Sequence, residues 1–339
     1  MILFLFLLAR AAAAQSVGAW VYDVVGGQPG MWASDLAAFN SAGGAANISV
    51  VFSYGGDMEY YPGSPAPYQT YFPQQSQDAA AAYLRTPGVA AVICVVDGRM
   101  DGGADYSPDL SKLSAPQLQA WADEVADLYC SFDEVAGLQL DLEPFAGKYR
   151  APFLVFLARL AANLRSPERN CAGAAHPAGR TISAFMFAEA ATPEVWAALG
   201  PRGYLVASGY DLSPAPAGTP SSVADYEAAL GASLAALAQS ARAGNGSYFV
   251  GIPAAASAHE FASYTLANGT VVAGAPQLEY AAAALRALAA GAAGQPGYLG
   301  PALWGFSSEM EYPPHSQNVF APGNPFVEAG EREFLLRNL

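Results

Sequence analysis

The chain has 339 residues, 53% of them hydrophobic and only 13% charged, a composition that can bury one large core and is unlike that of a disordered tail. Aspartate and glutamate outnumber lysine and arginine 29 to 15, and the resulting formal charge of −14 argues against nucleic acid and anionic membranes as partners. No run of about 18 apolar residues follows the first 14 positions, so no stable membrane anchor is expected.

Met1 to Ala14 reads MILFLFLLARAAAA, an apolar stretch followed by small residues that offer an Ala-x-Ala cleavage site, although no Lys or Arg precedes the stretch and Arg10 interrupts it. The reading is a signal peptide over residues 1–14, a single domain over 15–339, and a protein that is secreted or held in the secretory-pathway lumen. Three glycosylation sequons, at Asn47, Asn245 and Asn268, agree with that compartment; the first opens a strand, which is expected to bury it. Of the three cysteines, Cys94 sits in the apolar run Ala90 to Val96 and reads as a buried free thiol, which leaves Cys130 and Cys171 to form a bridge. No Cys or His spacing resembles a zinc site, and neither a metal nor another cofactor is expected.

Strand-like runs and Ala-rich helical runs alternate along the rest of the chain. The strands are Val17–Tyr22, Ile48–Tyr54, Val89–Val96, Val135–Glu143, Thr181–Phe187, Tyr204–Tyr210, Ser247–Ile252 and Pro301–Phe306. Between them lie helix candidates Met31–Ser41, Gln77–Leu84, Ala115–Tyr129, Ala151–Leu164, Pro193–Leu199, Ser222–Ala243 and Gln277–Ala290. Eight such units predict a single α/β domain, a (β/α)8 TIM barrel. Asp57 to Gln77, rich in Tyr, Pro and Ser, is expected to be a long loop.

The fourth strand carries most of the chemistry. In Gly137-Leu138-Gln139-Leu140-Asp141-Leu142-Glu143-Pro144, the period of two puts Gln139, Asp141 and Glu143 on one face and three leucines on the other. An alternating surface strand with solvated acids would look similar, but flanking apolar runs favour a strand with leucines against a helix layer and acids lining the barrel. Barrel sites lie at the strands' C-terminal ends, and there the chain offers Tyr22-Asp23, Tyr54 to Asp57, Asp97, Asp141 and Glu143, Phe187 and Glu189, Tyr210-Asp211, and Trp304 followed by Glu309. Carboxylates mixed with rings suit sugars, whose hydroxyls want acceptors and whose apolar faces stack on aromatics.

These residues resemble family 18 glycoside hydrolases, the chitinases and endo-β-N-acetylglucosaminidases, whose fourth strand reads Asp-x-x-Asp-x-Asp-x-Glu. Tyr210-Asp211 is similar to that family's sixth-strand Met-x-Tyr-Asp, and Trp304 to its eighth-strand tryptophan. The departures are Ala136 and Gln139 in place of the first two acids and Ser208 in place of the methionine. Because Gln139 hydrogen-bonds but does not ionise, Asp141 is expected to pair with its amide and to lack the like charge that raises its pKa. The resemblance implies hydrolysis of N-acetylglucosamine-containing oligosaccharides or polysaccharides by a monomer. Catalysis falls to Glu143, Asp141 and Tyr210, and substrate binding to Gln139, Asp211, Trp304, Tyr22 and Phe187, with stacking also expected from Tyr60, Tyr61, Tyr68 and Tyr71.

Three alternatives stand beside it. Glu143-Pro144 faintly resembles the acid motif of two-carboxylate retaining glycosidases, although strand seven ends without a glutamate and Glu260 comes several residues later. A non-catalytic, lectin-like carbohydrate-binding barrel fits the loss at Gln139. A barrel of unrelated chemistry would need oxygen ligands for any metal, since His176, His259 and His315 do not cluster with the strand-end acids, and a serine triad lacks its Gly-x-Ser-x-Gly elbow.

Overall fold

In the computed structural model, described for residues 16–22, 28–42, 47–103, 106–212, 222–253, 264–265, 271–272, 277–307 and 339, eight parallel strands close on themselves. The elements run β1 (Val17–Val21), α1 (Ala33–Ser41), β2 (Ile48–Tyr60), β3 (Tyr68–Tyr71), α2 (Gln74–Leu84), β4 (Ala91–Arg99), α3 (Ala115–Cys130), β5 (Gly137–Glu143), α4 (Arg150–Asn163) and β6 (Thr181–Met186). They continue with α5 (Pro193–Leu199), β7 (Gly203–Ser208), α6 (Val223–Gly244), β8 (Tyr248–Pro253), a short β9–β10 pair (Tyr264–Thr265, Val271–Val272), α7 (Gln277–Gly291) and β11 (Tyr298–Ser307). Around the barrel the order is β1, β2, β4, β5, β6, β7, β8, β11, and β11 pairs back to β1. All eight expected strands form at their expected places, so the fold is a TIM barrel.

The helices begin and end where local chemistry stops the ladder. The backbone N–H of Ser114 donates to Gln117 Oε1 at 3.0 Å ahead of α3, and Ser222 Oγ accepts from the Asp225 N–H at 3.1 Å ahead of α6. Asn245 terminates α6 in a left-handed conformation, φ 50°. Two apolar clusters result. One fills the space between strands and helices and takes Leu138, Leu140 and Leu142; the other, with Trp20, Phe52, Val95, Val206 and Phe249, plugs the barrel interior.

The segment expected to be a long loop is largely ordered structure. β2 runs on to Tyr60, reverses, and pairs antiparallel with β3, while α2 already starts at Gln74. At the base of the barrel Cys130 and Cys171 form a disulfide and Cys94 is a buried free thiol. Nearby, the buried Arg180 guanidinium donates to the carbonyls of Phe132 (2.7 Å), Val135 (2.8 Å) and Cys171 (3.2 Å). Asn47 is exposed, not buried, because it precedes the strand it was expected to open; Asn245 is exposed too. No helix among the described residues is long and apolar enough to cross a membrane. The segment read as a signal peptide, the sequon at Asn268, and Asp23, His259, Glu260, Glu309 and His315 lie outside the described residues.

Candidate active site

β5 turns Gln139, Asp141 and Glu143 into the barrel in order of height. Gln139 is fully buried, Asp141 partly exposed, and Glu143 exposed at the mouth. The parallel ladder sets Asp97 of β4 opposite Asp141, and Asp57 of β2 opposite Asp97, so three carboxylates stand side by side on adjacent strands. Asp57 reaches that row only through a bulge. The pairing jumps from Tyr54–Val95 to Gly56–Val96, and this extra residue turns Asp57 and Glu59 inward while Met58 goes to the outer core. Gly56 makes the bulge feasible: its φ is 123°, and a Cβ there would sit 1.6 Å from the Tyr71 carbonyl oxygen. Tyr129 of α3 donates its hydroxyl to the Gly55 carbonyl at 2.9 Å and holds the bulge from behind.

The charge row changes the expected electrostatics. Burial, then the neighbouring carboxylates Asp97 and Glu143, push the Asp141 carboxyl well above the usual aspartate range. The like charge that Gln139 fails to supply thus comes from the adjacent strand. Gln139 does not pair with Asp141 either: its Oε1 accepts from Trp20 Nε1 at 2.7 Å, and its Nε2 has no partner among the described residues. Burial also raises Asp57, a rise that the hydroxyl donated by Tyr54 opposes and Glu59 reinforces.

The facing side of the mouth is aromatic. Tyr210, just beyond β7, stacks on Trp304 of β11 with centroids 5.2 Å apart and planes 17° apart, and on Phe185 of β6 at 5.9 Å and 21°. Ser208 orients the tyrosine, since its Oγ donates to the Tyr210 carbonyl at 2.7 Å and accepts from the Tyr210 N–H at 3.4 Å. Tyr226 of α6 donates to the Gly209 carbonyl at 2.7 Å, and Gly209 itself has no room for a side chain, with the Gly251 carbonyl oxygen 2.2 Å from where a Cβ would lie. Burial, with Asp141 and Asp211 close by, raises the Tyr210 hydroxyl well above the usual phenol range and keeps it a neutral donor.

A cavity of about 490 Å³ lies between the two sides, lined by Asp57, Glu59, Asp97, Asp141, Glu143 and Asp211 and by Tyr106, Phe185, Tyr210 and Trp304. Five of the expected site residues therefore meet there: Glu143, Asp141, Tyr210, Asp211 and Trp304. Gln139 and Tyr22 lie beneath it; Tyr22 is buried and meets Tyr54 (6.2 Å) and Trp304 (6.4 Å) edge to face. Phe187 is not in this cavity. β6 ends at Met186 and the chain turns, so Phe187 lines a second cavity of about 500 Å³ on the other flank of Glu143, together with Phe145, Arg150 and Glu189. Of the four tyrosines expected to stack, Tyr60 and Tyr68 pair at 5.0 Å and Tyr68 packs on Trp121 at 5.3 Å, away from the mouth, while Tyr71 lies on the exposed strand β3.

Trp20, Glu59, Phe185 and Tyr106 had no role assigned from sequence. Trp20 and Phe185 share the inward parity of Tyr22 and Phe187, and the Gly55-Gly56 pair signals a bulge that brings Glu59 inward. Tyr106 carries no such signal.

No protein-family model matches the chain, and no curated protein matches it in sequence. Solved structures do match. The catalytic domain of a family GH18 chitinase from the fern Peteris ryukyuensis is 13% identical, with 95% of this chain and 99% of that one covered at a TM-score of 0.54. A GH18 chitinase from the chitin utilization locus of Flavobacterium johnsoniae is 10% identical over 86% and 87% at 0.53, and a family 18 chitinase from Crocus vernus 12% identical over 85% and 92% at 0.50. At such identities the likeness establishes the shared fold and leaves the chemistry to the site. Over most of its length, then, this chain is a TIM barrel with the fold of the GH18 chitinases.

Proposed function

We propose that the protein is a glycoside hydrolase acting on N-acetylglucosamine-containing glycans, with Glu143 as general acid and then general base. The observation that carries this reading is the place of Glu143: an exposed carboxyl at the end of a barrel strand, two residues above the inward Asp141, shared by the two cavities and facing the Tyr210–Trp304 stack.

In the first step Glu143 gives its proton to the glycosidic oxygen as the bond to the anomeric carbon breaks, and the substrate's own 2-acetamido oxygen closes on that carbon. Asp141 orients the acetamido group, and the neutral Tyr210 hydroxyl donates to its oxygen. In the second step the Glu143 carboxylate takes a proton from water, whose oxygen opens the ring intermediate, and the anomeric configuration is retained. The raised pKa of Asp141 suits a group that shares a proton with the acetamido nitrogen. The barrel is secreted in this reading.

Release of reducing ends from N-acetylglucosamine oligomers and from a high-mannose glycoprotein tests the proposal, each beside Glu143→Gln. The variant is expected to lose about 10²–10⁴-fold in rate, the range of a positioned general acid. Equal sugar binding by both proteins with no hydrolysis by either would replace the enzyme with a carbohydrate-binding barrel, the reading that Gln139 favours.

A further inference from the structure

Rung by rung, β4 faces β5 with Val95 opposite Gln139, Asp97 opposite Asp141 and Arg99 opposite Glu143. Paired residues on neighbouring strands stand about 4.8 Å apart with their side chains on one face, and Asp97 and Asp141 are both half-buried and line the mouth cavity. Two carboxyls so placed do not both ionise without repulsion, which favours one proton held between them. After burial, Asp97 is the strongest influence raising Asp141, ahead of Glu143. Below Asp141 on its own strand there is no such partner, because Gln139 does not ionise and its Oε1 already accepts from Trp20 Nε1 at 2.7 Å.

The surroundings leave the proton with this pair. From β2, Asp57 and Glu59 face it as further acids, but each already accepts a phenol hydroxyl, from Tyr54 and from Tyr61. Glu143 is exposed at the mouth opposite Arg99, the cation among the described cavity-lining residues, and Asp101 holds Arg99 at 2.7 Å. Beyond β1 and β7 stand Tyr22 and Tyr210, whose hydroxyls burial and the nearby acids keep neutral, with Asp211 next to Tyr210. β6 and β11 contribute the rings Phe185 and Trp304.

We propose that Asp97 is a positioning residue that shares one proton with Asp141 across the β4–β5 ladder, so that Asp141 can ionise when it takes up the substrate's acetamido N–H. The proton passes from the Asp141 carboxyl to the Asp97 carboxylate as the acetamido oxygen closes on the anomeric carbon, and it returns when water opens the ring. The pair keeps a single negative charge throughout, and neither acid bonds to carbon. The role in the reaction rests on the glycan reading of the mouth; the shared proton does not.

The test reads the proton directly and needs no substrate. Infrared spectra of the full chain at pH 7 are compared with those of Asp97→Asn, Asp141→Asn and Asp57→Asn. Asp97→Asn keeps an oxygen for the Gly98 N–H that Asp97 Oδ1 accepts at 2.7 Å. The carboxylic-acid C=O stretch of the parent is expected to disappear in Asp97→Asn and in Asp141→Asn, since the acid left behind ionises, and to survive in Asp57→Asn. A band that survives either substitution in the pair assigns the proton to one acid alone and overturns the sharing. A band lost in Asp57→Asn, or absent from the parent, does the same. Turnover of N-acetylglucosamine oligomers then separates the two readings. With the like charge gone Asp141 gives up its proton at lower pH, so kcat against pH is expected to shift to lower pH in Asp97→Asn, with KM kept. An unmoved profile with the band lost overturns the role in the reaction and leaves the hydrolase standing. No turnover by the parent removes the hydrolase and that role together and leaves the shared proton.

Discussion

On the β2–β4–β5 side of the mouth stands a row of carboxylates placed by the strand ladder: Asp57, Asp97 and Asp141 share one register across three strands. On the β6–β7–β11 side they are rings, placed by packing: Phe185, Tyr210 and Trp304 lie nearly parallel. On the proposed function the difference separates two kinds of work. Charges that must act on a reacting bond are fixed by backbone hydrogen bonds, which tolerate little drift. Rings that hold a sugar face are fixed by contact area, which tolerates some. The sharpest way to break this division is Glu143→Gln measured for binding as well as rate. The large loss of rate should leave oligomer affinity unchanged by calorimetry, and a parallel loss of affinity would mean that the acid side also carries binding.

The reciprocal experiment is Trp304→Ala. With Trp304 gone, the Tyr210 ring loses the partner 5.2 Å away and the cavity loses a wall. Oligomer affinity is expected to fall about tenfold to a hundredfold, read as a raised KM, with kcat changed less. A kcat loss as large as that of Glu143→Gln would show that the rings position the acid as well as the sugar.

The acid side should also be the unstable side at neutral pH. Folded Asp141 holds its proton more tightly than the unfolded chain, where the ordinary value is near 3.8. Its contribution to stability is therefore fully present below that value and is lost as pH rises through the raised one. Asp141→Asn removes the loss, and thermal unfolding followed from pH 4 to pH 8 should show the variant more stable than the parent at pH 7, with a flatter pH dependence. A variant less stable at pH 7, with the slope unchanged, would place the strain elsewhere in the row.

How much of this was legible in the sequence differs between the two sides as well. The alternation of Leu138, Leu140 and Leu142 with Gln139, Asp141 and Glu143 needs only a period of two, and it placed β5 correctly with its inward face. The barrel followed from eight repeats of strand and helix. What sequence reading lost was everything set by register between strands. Nothing local says that Asp97 stands opposite Asp141, so the expected relief of like charge at Asp141 was wrong. Nothing local says that Trp20, 119 residues away, takes the Gln139 oxygen. The sixth strand was read one residue too long, and a chain that turns after Met186 carries Phe187 into the cavity on the other flank of Glu143.

The two sides nevertheless share one device, and it gives the finest test of the comparison. Each is backed by a buried helix tyrosine that donates to a glycine carbonyl: Tyr129 of α3 to Gly55 in the β2 bulge at 2.9 Å, and Tyr226 of α6 to Gly209 just beyond β7 at 2.7 Å. Removing either hydroxyl leaves a carbonyl without that donor, so Tyr129→Phe and Tyr226→Phe should each cost about 1–2 kcal/mol by chemical denaturation. Equal costs in stability should have unequal consequences for function. Gly55 lies in the bulge that sends Asp57 and Glu59 into the cavity, so Tyr129→Phe loosens the carboxylate row and lowers kcat by a few fold, with KM kept. Gly209 precedes Tyr210, so Tyr226→Phe loosens the ring stack and raises KM, with kcat kept. Steady-state kinetics on one oligomer with both variants decides the matter. If the two variants shift the same parameter, the acid row and the ring stack move as one body, and the separation of labour across the mouth is not real.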